Sequence, residues 1–232
     1  MDRIKFIKRS YSYQMTEEMK TLRTNIQFCG ADKKVIMVTS CIAGEGKSSI
    51  ALELAKSMAE LNKKVLLLDC DIRRSVMMKE VEGGKIEFGL THVLAGKCEL
   101  KDALIATDVP GLSAVFAGVT TPNPTELLAS DSFKKIVRVF RGIFDYVIID
   151  SAPLGMVIDA AIIAPNCDAS VLLLEAGTIK YRLAQETLRK LRNTGCPVAG
   201  VVLNKVDYKK NDKYYGKYYG KYYGKRYTKY YE

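Results

Sequence analysis

A short loop rich in small residues constrains this chain more than any other feature. Residues 40–48 read Ser-Cys-Ile-Ala-Gly-Glu-Gly-Lys-Ser, between an apolar run and an amphipathic stretch. Strand, glycine-containing loop, Gly-Lys-Ser and helix, in that order, are typical of a phosphate-binding loop. Gly44 and Gly46 let the backbone aim its N–H groups at phosphate oxygens, and the helix N-terminus adds a positive dipole end. Cys41 stands where the usual pattern has glycine, so a plain glycine-rich turn is the alternative interpretation.

The loop also predicts which residues hold a nucleotide. Lys47 would reach the β- and γ-phosphates, and the Ser48 hydroxyl would take one coordination position on Mg²⁺. Asn204, at the end of the last apolar run, could lie at the edge of the nucleotide base, although a simple turn after the strand is an equal alternative. The nucleotide-binding residues predicted in this way are Ala43, Gly44, Glu45, Gly46, Lys47, Ser48, Ser49 and Asn204.

Three aspartates follow buried strands. Asp69 and Asp71 come at the end of one apolar run, and Asp150 ends another. The carboxyl ends of parallel strands form the edge of the sheet where ligands bind. One strand-to-loop turn could therefore present Asp69 and Asp71 near one metal ion, while Asp150 supplies the second acid that a phosphate-loop enzyme needs for Mg²⁺. The alternative is a solvated loop whose acids are balanced by its own arginines.

Apolar runs alternate with helical patterns through most of the chain. This alternation predicts an α/β fold, a doubly wound and mainly parallel sheet in a three-layer α/β/α arrangement like that of P-loop NTPases. We expect one domain over 1–207, beginning with an arm at 1–15 on the surface and a helix from about 16 to 28 capped by Thr16. Glu17, Lys20 and Arg23 share one face of that helix, which is either a solvated face or an interface between subunits.

Charge and cysteine content bear on the cellular compartment in which the protein works. The net charge of +10 lies mostly in residues 208–232, which hold eight Lys or Arg and two acids, a balance of +6. The six cysteines are scattered without a Cys-x-x-Cys pair, so a zinc site or disulfide framework is not expected and a reducing cytoplasm fits. No apolar run approaches a membrane span. We therefore expect a cytoplasmic protein that reaches the membrane only through a partner or a surface contact.

Residues 208–232 change composition abruptly. Ten of the fourteen tyrosines lie here, interleaved with lysine and glycine, and no aliphatic residue follows Val206. Such a segment lacks the apolar surface for a core, so it is predicted to be disordered. Basic residues between aromatics also describe a single-stranded nucleic-acid binder, whereas a third interpretation makes the tyrosines substrates. Composition does not separate the last two.

The acids bear on the substrate interpretation. A tyrosine hydroxyl has a pKa near ~10 and is protonated at neutral pH, so a phosphoryl acceptor benefits from a carboxylate that accepts its proton. Positioning and charge neutralisation by Mg²⁺, Lys47 and the loop N–H groups would supply most of the catalysis. A kinase on this scaffold would require one acid beyond those that hold the metal, and Asp69, Asp71 and Asp150 provide three.

At this point the chain resembles a known family, the bacterial tyrosine kinases of capsule and exopolysaccharide synthesis in their cytoplasmic form. The resemblance covers nearly the whole chain. Its motifs are the phosphate loop 43–48, the Asp-x-Asp-x-Arg element 69–73, the Pro-Asn-Pro-Thr-Glu-Leu-Leu run 122–128, the Asp-Ser-Ala-Pro strand end 150–153 and the tyrosine cluster. The family usually has Pro at Ala43.

The resemblance implies ATP-dependent autophosphorylation of the tail in trans within a ring of subunits, a membrane-protein activator and a cognate tyrosine phosphatase, with no stable nucleic-acid partner. It assigns catalysis to Lys47, Asp69, Asp71 and Asp150, with Asp69 as the base, and metal contacts to Ser48, Asp71 and Asp150. The implied phosphoacceptors are Tyr214, Tyr215, Tyr218, Tyr219, Tyr222, Tyr223, Tyr227, Tyr230 and Tyr231. The implied interface motif is Glu17, Lys20 and Arg23, in which Lys20 stands where the family has arginine.

Two other classes compete with the kinase interpretation. A partitioning or positioning ATPase would hydrolyse ATP as a dimer switch and bind nucleic acid or membrane through the basic tail. Those relatives usually carry a signature lysine early in the loop, where this chain has Ile42. A non-catalytic nucleotide-binding regulator would be expected to lose acids rather than keep all three. The sequence therefore favours the kinase.

Overall fold

The computed structural model describes residues 3–207, which contain nine strands and eight α-helices. The strands are β1 (Lys5–Phe6), β2 (Val35–Ser40), β3 (Val65–Asp69), β4 (Val81–Gly83), β5 (Ile105–Ala106), β6 (Leu112–Val115), β7 (Tyr146–Asp150), β8 (Ala169–Glu175) and β9 (Val198–Asn204). The helices are α1 (Tyr13–Phe28), α2 (Lys47–Ala59), α3 (Leu90–Leu94), α4 (Leu100–Ala103), α5 (Pro124–Ala129), α6 (Asp131–Ile143), α7 (Asp159–Ile163) and α8 (Tyr181–Arg192). Short 3-10 helices lie at Met77–Glu80 and Ala164–Asn166.

Seven strands form one twisted sheet in the order β5-β6-β3-β7-β2-β8-β9. Every neighbouring pair is parallel except β5 and β6, which are antiparallel. The strand that leads into the phosphate-binding loop, β2, lies between β7 and β8. The predicted doubly wound, mainly parallel α/β fold is thus confirmed, and the loop leaves the sheet next to the strand that ends in Asp150.

Side-chain alternation along the central strands divides the core into two layers. On β2, Ile36 and Val38 pack on the side of α2, whereas Val35 and Met37 pack on the side of α6 and α8. Successive strand side chains point to opposite faces, so a strand that is covered on both faces has to be apolar throughout. This double burial explains why the central strands stand out in the sequence as uninterrupted apolar runs.

The N-terminal segment differs from its prediction. It is not a surface arm, because Ile4 and Phe6 are buried in the core and β1 pairs antiparallel with β4. Helix α1 begins at Tyr13 rather than near Thr16, since the Ser12 hydroxyl accepts the Met15 N–H at 3.2 Å and caps the helix. The predicted domain boundary at 207 stays a prediction, and the tail 208–232 lies outside the described residues.

The Asp168 carboxylate, which lies just before β8, connects the start of β2 to Arg141 of α6. Asp168 Oδ2 accepts the Val35 N–H at 2.9 Å and the Lys34 N–H at 3.0 Å. The Arg141 guanidinium lies 3.2 Å from the same side chain. Burial alone would raise the pKa of Asp168, but the N–H groups and the guanidinium favour the ionised form, so its pKa lies below the ordinary value.

We therefore predict that Asp168→Asn lowers the free energy of unfolding by about 1–2 kcal/mol at pH 7, because buried N–H groups lose a charged acceptor. A pKa that is lowered by folding adds stability above the unfolded pKa of about 3.9, and this stability disappears as pH falls through the folded pKa. Urea unfolding at pH 7 and near pH 3 checks both points. Glu87→Gln, at an exposed ion pair, should change stability by less than about 0.5 kcal/mol. An Asp168→Asn deficit that stays constant over this pH range would contradict the assignment.

Candidate functional site: a phosphate loop beside three buried carboxylates

The phosphate-binding loop joins the carboxyl end of β2 to the amino end of α2. Gly44 has φ +86° and Gly46 has φ +95°, the left-handed region that favours glycine. A Cβ at Gly46 would also collide with the Asn204 amide. No side chain caps the amino end of the thirteen-residue α2, where Lys47 and Ser48 begin the helix. The loop therefore has the backbone geometry of an anion site at a helix N-terminus.

The side chains of three predicted nucleotide-binding residues form hydrogen bonds within the protein instead. The Asn204 Nδ2 donates to the Glu45 carbonyl at 2.8 Å. Glu45 is fully buried, and its carboxylate accepts the Ile42 N–H at 2.7 Å and the Glu175 N–H at 2.8 Å. The Ser49 hydroxyl donates to Glu80 at 3.2 Å. Any contribution of Glu45 and Ser49 to nucleotide binding would therefore come from their backbone. No loop motif indicates in which direction such side chains turn.

The structure brings the three predicted acids together at one edge of the sheet. Asp69 and Asp150 end the neighbouring parallel strands β3 and β7 and are direct register partners. Both are 1% exposed, and Asp71 is 9% exposed. Asp69 Oδ1 accepts the Asp71 N–H at 3.1 Å. The Ser75 hydroxyl donates to Asp69 Oδ2 at 2.5 Å, so Ser75 orients this carboxylate, although no local sequence pattern marks Ser75.

Burial at this edge of the sheet raises the pKa values of Asp69 and Asp150. Burial and the charge of Asp150 raise the pKa of Asp69 to about 8, although the Ser75 hydroxyl and the Asp71 N–H oppose the shift. Burial raises the pKa of Asp150 to about 6, opposed by the Lys47 charge and a hydrogen bond from Ser48. Lys47 and Ser48 are thus near enough to Asp150 to favour its ionised form. The arrangement favours a cation, because adjacent buried anions are each stabilised by positive charge.

The residues fit the Mg²⁺ ion that a phosphate loop implies. Asp150 Oδ1 is buried without a hydrogen-bond partner, which leaves one hard oxygen ready for a ligand. Within residues 3–207, no group of three or more His, Cys, Asp or Glu side chains is arranged to hold a metal by itself. Asp71, Asp150 and Ser48 would therefore supply part of the coordination shell, and Mg²⁺ ordinarily completes its shell with water and substrate phosphate.

A salt bridge that sequence reasoning missed fixes the loop after β3. The Arg73 guanidinium contacts Asp159 at 2.6 Å and 2.9 Å and the Thr125 hydroxyl at 2.8 Å. Asp159 begins α7 and is fully buried. Arg73 thus links the Asp-x-Asp element to α7 and to α5, which starts within the run 122–128. The Asp-x-Asp-x-Arg pattern marked Arg73, but its partner lies 86 residues away and no local signal marks Asp159.

The three predicted interface residues on α1 differ in their contacts. Lys20 and Glu17 form an ion pair at 2.7 Å and both side chains are exposed. Arg23 turns toward α2, where it donates to the Ser57 carbonyl at 2.7 Å and lies 3.3 Å from Glu60. The structure therefore leaves Glu17 and Lys20 on the open face and uses Arg23 to hold α1 against α2.

The predicted phosphoacceptor tyrosines lie outside the described residues, so their assignment stays a prediction.

Among residues 3–207, no helix combines the length and the apolar character that crossing a membrane would require.

We predict that Arg73→Met lowers the free energy of unfolding by about 2–4 kcal/mol, because the Asp159 carboxylate would stay buried without its cation. Urea denaturation followed by circular dichroism measures the change. Arg74→Met is the matched control: Arg74 is exposed, and the variant should differ from the wild type by less than about 0.5 kcal/mol. Equal stability of the two variants would contradict the structural role of the Arg73–Asp159 bridge.

Comparison with known proteins identifies the family of this chain. A family model described as an AAA domain matches residues 33–191. The tyrosine-protein kinase CpsD of Streptococcus agalactiae is 42% identical over 193 residues, which cover 83% of this chain and 84% of that protein. The tyrosine-protein kinase YwqD of Bacillus subtilis is 34% identical over 203 residues, which cover 86% of this chain and 84% of that protein.

A solved structure gives the same answer. The BceF tyrosine kinase domain superposes on this chain with a TM-score of 0.75 at 33% identity, covering 83% of this chain and 78% of that one. Residues 33–191, the range that the family model matches, include the phosphate loop, both acidic strand ends and the Arg73–Asp159 bridge. On this evidence, the chain belongs to the family of bacterial tyrosine-protein kinases that includes CpsD and YwqD.

Proposed function

We propose that this kinase transfers the γ-phosphoryl group of ATP to the tyrosines of its own C-terminal tail and thereby regulates the synthesis and export of a capsular or extracellular polysaccharide. One observation carries the proposal: a phosphate loop and three buried carboxylates meet at one sheet edge, in a chain that ends in a tyrosine cluster. CpsD, the relative described above, is named as a tyrosine-protein kinase. The phosphate loop supports nucleotide use.

Each residue of the site has a separate part in the proposed reaction. The loop N–H groups and the Lys47 ammonium bind the β- and γ-phosphates, and Ser48, Asp71 and Asp150 would hold Mg²⁺, which neutralises phosphate charge when bound. The tyrosine Oη forms a bond to the γ-phosphorus while the bond from that phosphorus to the bridging oxygen breaks. ADP leaves with the bridging electrons. The tyrosine proton passes to a carboxylate, which we assign to Asp69.

The base assignment has a specific competitor. Asp69 is 1% exposed and already accepts hydrogen bonds on both oxygens, so it would have to open toward the substrate. Asp71 is 9% exposed and lies nearer to solvent. Burial makes the Asp69 carboxylate a stronger base than an ordinary aspartate, and the positive charge of a bound Mg²⁺ would keep it in the ionised form that accepts a proton. We therefore favour Asp69 and treat Asp71 as the residue to compare.

Transfer between subunits follows from the expected tail. A flexible segment of this length has a root-mean-square span of roughly 25–30 Å, enough to cross a subunit boundary. The unmodified tail carries +6, which attracts it to an acidic site on a neighbouring copy. We propose a ring-like homo-oligomer in which the open face of α1, with Glu17 and Lys20, contributes to the subunit contact.

Partners follow from the same proposal. Since no described helix can span a membrane, recruitment to the inner face of the cell membrane would come from a membrane-anchored activator of polysaccharide export. Phosphotyrosines in the tail would be reversed by a cognate tyrosine phosphatase. A partitioning-type ATPase is less well supported, because the chain is 42% identical to a tyrosine-protein kinase over 83% of its length.

We predict that the purified chain, incubated with ATP and Mg²⁺, acquires phosphate on residues 214–231, as mass spectrometry would show. Lys47→Met should lose at least about 10²-fold in transfer, because positioned positive charge stabilises the transferring group. Lys63→Met is the matched control, since Lys63 is exposed and far from the loop, and it should transfer normally. A circular dichroism melt of Lys47→Met separates loss of chemistry from loss of folding.

Mixing variants tests transfer between subunits. A chain truncated after Asp207 keeps the site and lacks the acceptors, whereas Lys47→Met keeps the acceptors and lacks the site. Phosphate on the Lys47→Met tail after mixing would establish transfer in trans. If the wild type hydrolyses ATP in the presence of nucleic acid or lipid but gains no phosphate, the kinase proposal is wrong. If neither activity occurs, adding the cytoplasmic end of the activator is the next step.

We further predict that Asp69→Asn keeps MgATP affinity within about threefold and lowers the rate of transfer by about 10²–10⁴, the usual contribution of a general base. Asp71→Asn should instead weaken Mg²⁺-dependent nucleotide binding, because Asp71 is a proposed metal ligand. Calorimetry with MgATP and single-turnover transfer distinguish the two. Transfer retained in Asp69→Asn would move the base role to Asp71.

A further inference from the structure

The carboxyl end of β9 lies against the outer side of the phosphate-binding loop. The Asn204 side-chain Nδ2 donates to the Glu45 carbonyl at 2.8 Å, and the Lys205 Nζ donates to the Gly44 carbonyl at 2.7 Å. Lys205 Nζ also contacts Glu175 at 2.9 Å. Two consecutive loop carbonyls are therefore held from outside by two consecutive residues of one strand end.

Because peptide groups are planar, these two hydrogen bonds also determine which N–H groups point to the phosphate side of the loop. In a trans peptide the C=O of one residue and the N–H of the next point in opposite directions, and no described peptide is cis. A Gly44 carbonyl drawn outward by Lys205 points the Glu45 N–H inward. A Glu45 carbonyl drawn outward by Asn204 does the same for the Gly46 N–H.

The backbone of Lys205 supports a dedicated role. Its φ is +56°, which is uncommon for a residue with a side chain and costs free energy. The side chain is 47% exposed, yet its ammonium is directed at a loop carbonyl and at Glu175. Hydrogen bonds to charged donors are stronger than neutral ones, so this contact holds the Gly44 carbonyl more firmly than a neutral donor would.

The inward side chain of Glu45 completes the support. Its carboxylate accepts the Glu175 N–H and the Ile42 N–H, while its own carbonyl accepts from Asn204. Glu175 in turn carries the carboxylate that pairs with Lys205. The Ile42 contact braces the loop internally and the others connect it to the ends of β8 and β9, so the loop shape is fixed before any anion arrives.

We propose that Lys205 is a positioning residue of the phosphate site, which orients the Glu45 N–H toward the bound phosphates by holding the Gly44 carbonyl. It acts through the loop backbone and needs no contact with the nucleotide. The inference rests on the proposed function only in taking a nucleoside di- or triphosphate as the ligand. It extends the candidate site beyond Asn204 to Lys205, with Glu175 as the acid that keeps the ammonium in place.

The test compares nucleotide binding by full-length variants. Lys205→Met should raise the Kd of MgADP and of MgATP about tenfold by calorimetry, because the charged hydrogen bond that preorganises the Glu45 N–H is lost. The KM for ATP should rise by a similar factor with a smaller change in kcat. The melting temperature of the nucleotide-free chain should fall by less than about 3 °C. Glu175→Gln, which keeps the ammonium but frees it, should show a smaller loss.

Two further variants make the result decisive. Lys101→Met, at an exposed ion pair, should leave the Kd unchanged. Lys205→Arg keeps a cationic donor and should bind MgADP within about threefold of the wild type; it decides the matter if Lys205→Met does not fold. A Lys205→Met chain with wild-type Kd, or a folded Lys205→Arg chain as weak as Lys205→Met, would overturn the inference.

The outcome is separable from that of the proposed function. A wild-type chain that binds MgADP but transfers no phosphate contradicts the kinase proposal and leaves the role of Lys205 standing. A Lys205→Met chain that binds and transfers like the wild type contradicts the role of Lys205 and leaves the kinase proposal standing.

Discussion

Burial of like charge at one edge of the sheet is the constraint on which the site depends. Asp69 and Asp150 end adjacent parallel strands as register partners, each 1% exposed. Two buried carboxylates at paired positions of neighbouring strands repel each other unless positive charge or a proton compensates them. Lys47 supplies part of that charge to Asp150, and a metal with its nucleotide would supply the rest. The fold thus carries an electrostatic cost that the ligand relieves.

The rest of the molecule can be understood as rigid support for that edge. Ser75 orients Asp69, the Arg73–Asp159 bridge fixes the loop after β3, and the ends of β8 and β9 hold the phosphate loop from outside. Preorganised donors are worth more to catalysis than donors that have to reorient. Lys205, Gly44 and Gly46 all have left-handed backbone conformations. The structure tolerates these conformations because the packed strands beside them fix the position of each residue.

The central strands and the phosphate loop could be predicted because their signals are local. A parallel strand buried on both faces is an uninterrupted apolar run, and the loop requires glycine at fixed positions. Contacts between distant residues left no such signal. Nothing near Asp159 indicates that it pairs with Arg73, and a loop pattern does not say that Glu45 turns inward. The first turn of α1 was misplaced because Ser12 takes the cap that Thr16 also could provide.

The proposed acceptor tyrosines and the candidate site differ in composition for a physical reason. A site that holds three acids against repulsion needs dense packing, and residues 35–38, 65–68 and 147–149 supply it with fully buried aliphatic side chains. Acceptor tyrosines would have the opposite requirement, because each would have to reach a site in turn and leave it again. A segment of Tyr, Gly and Lys without aliphatic residues cannot form a core that would retain it. Under the proposed function, separating the two compositions at Val206 would let one chain serve as both enzyme and substrate.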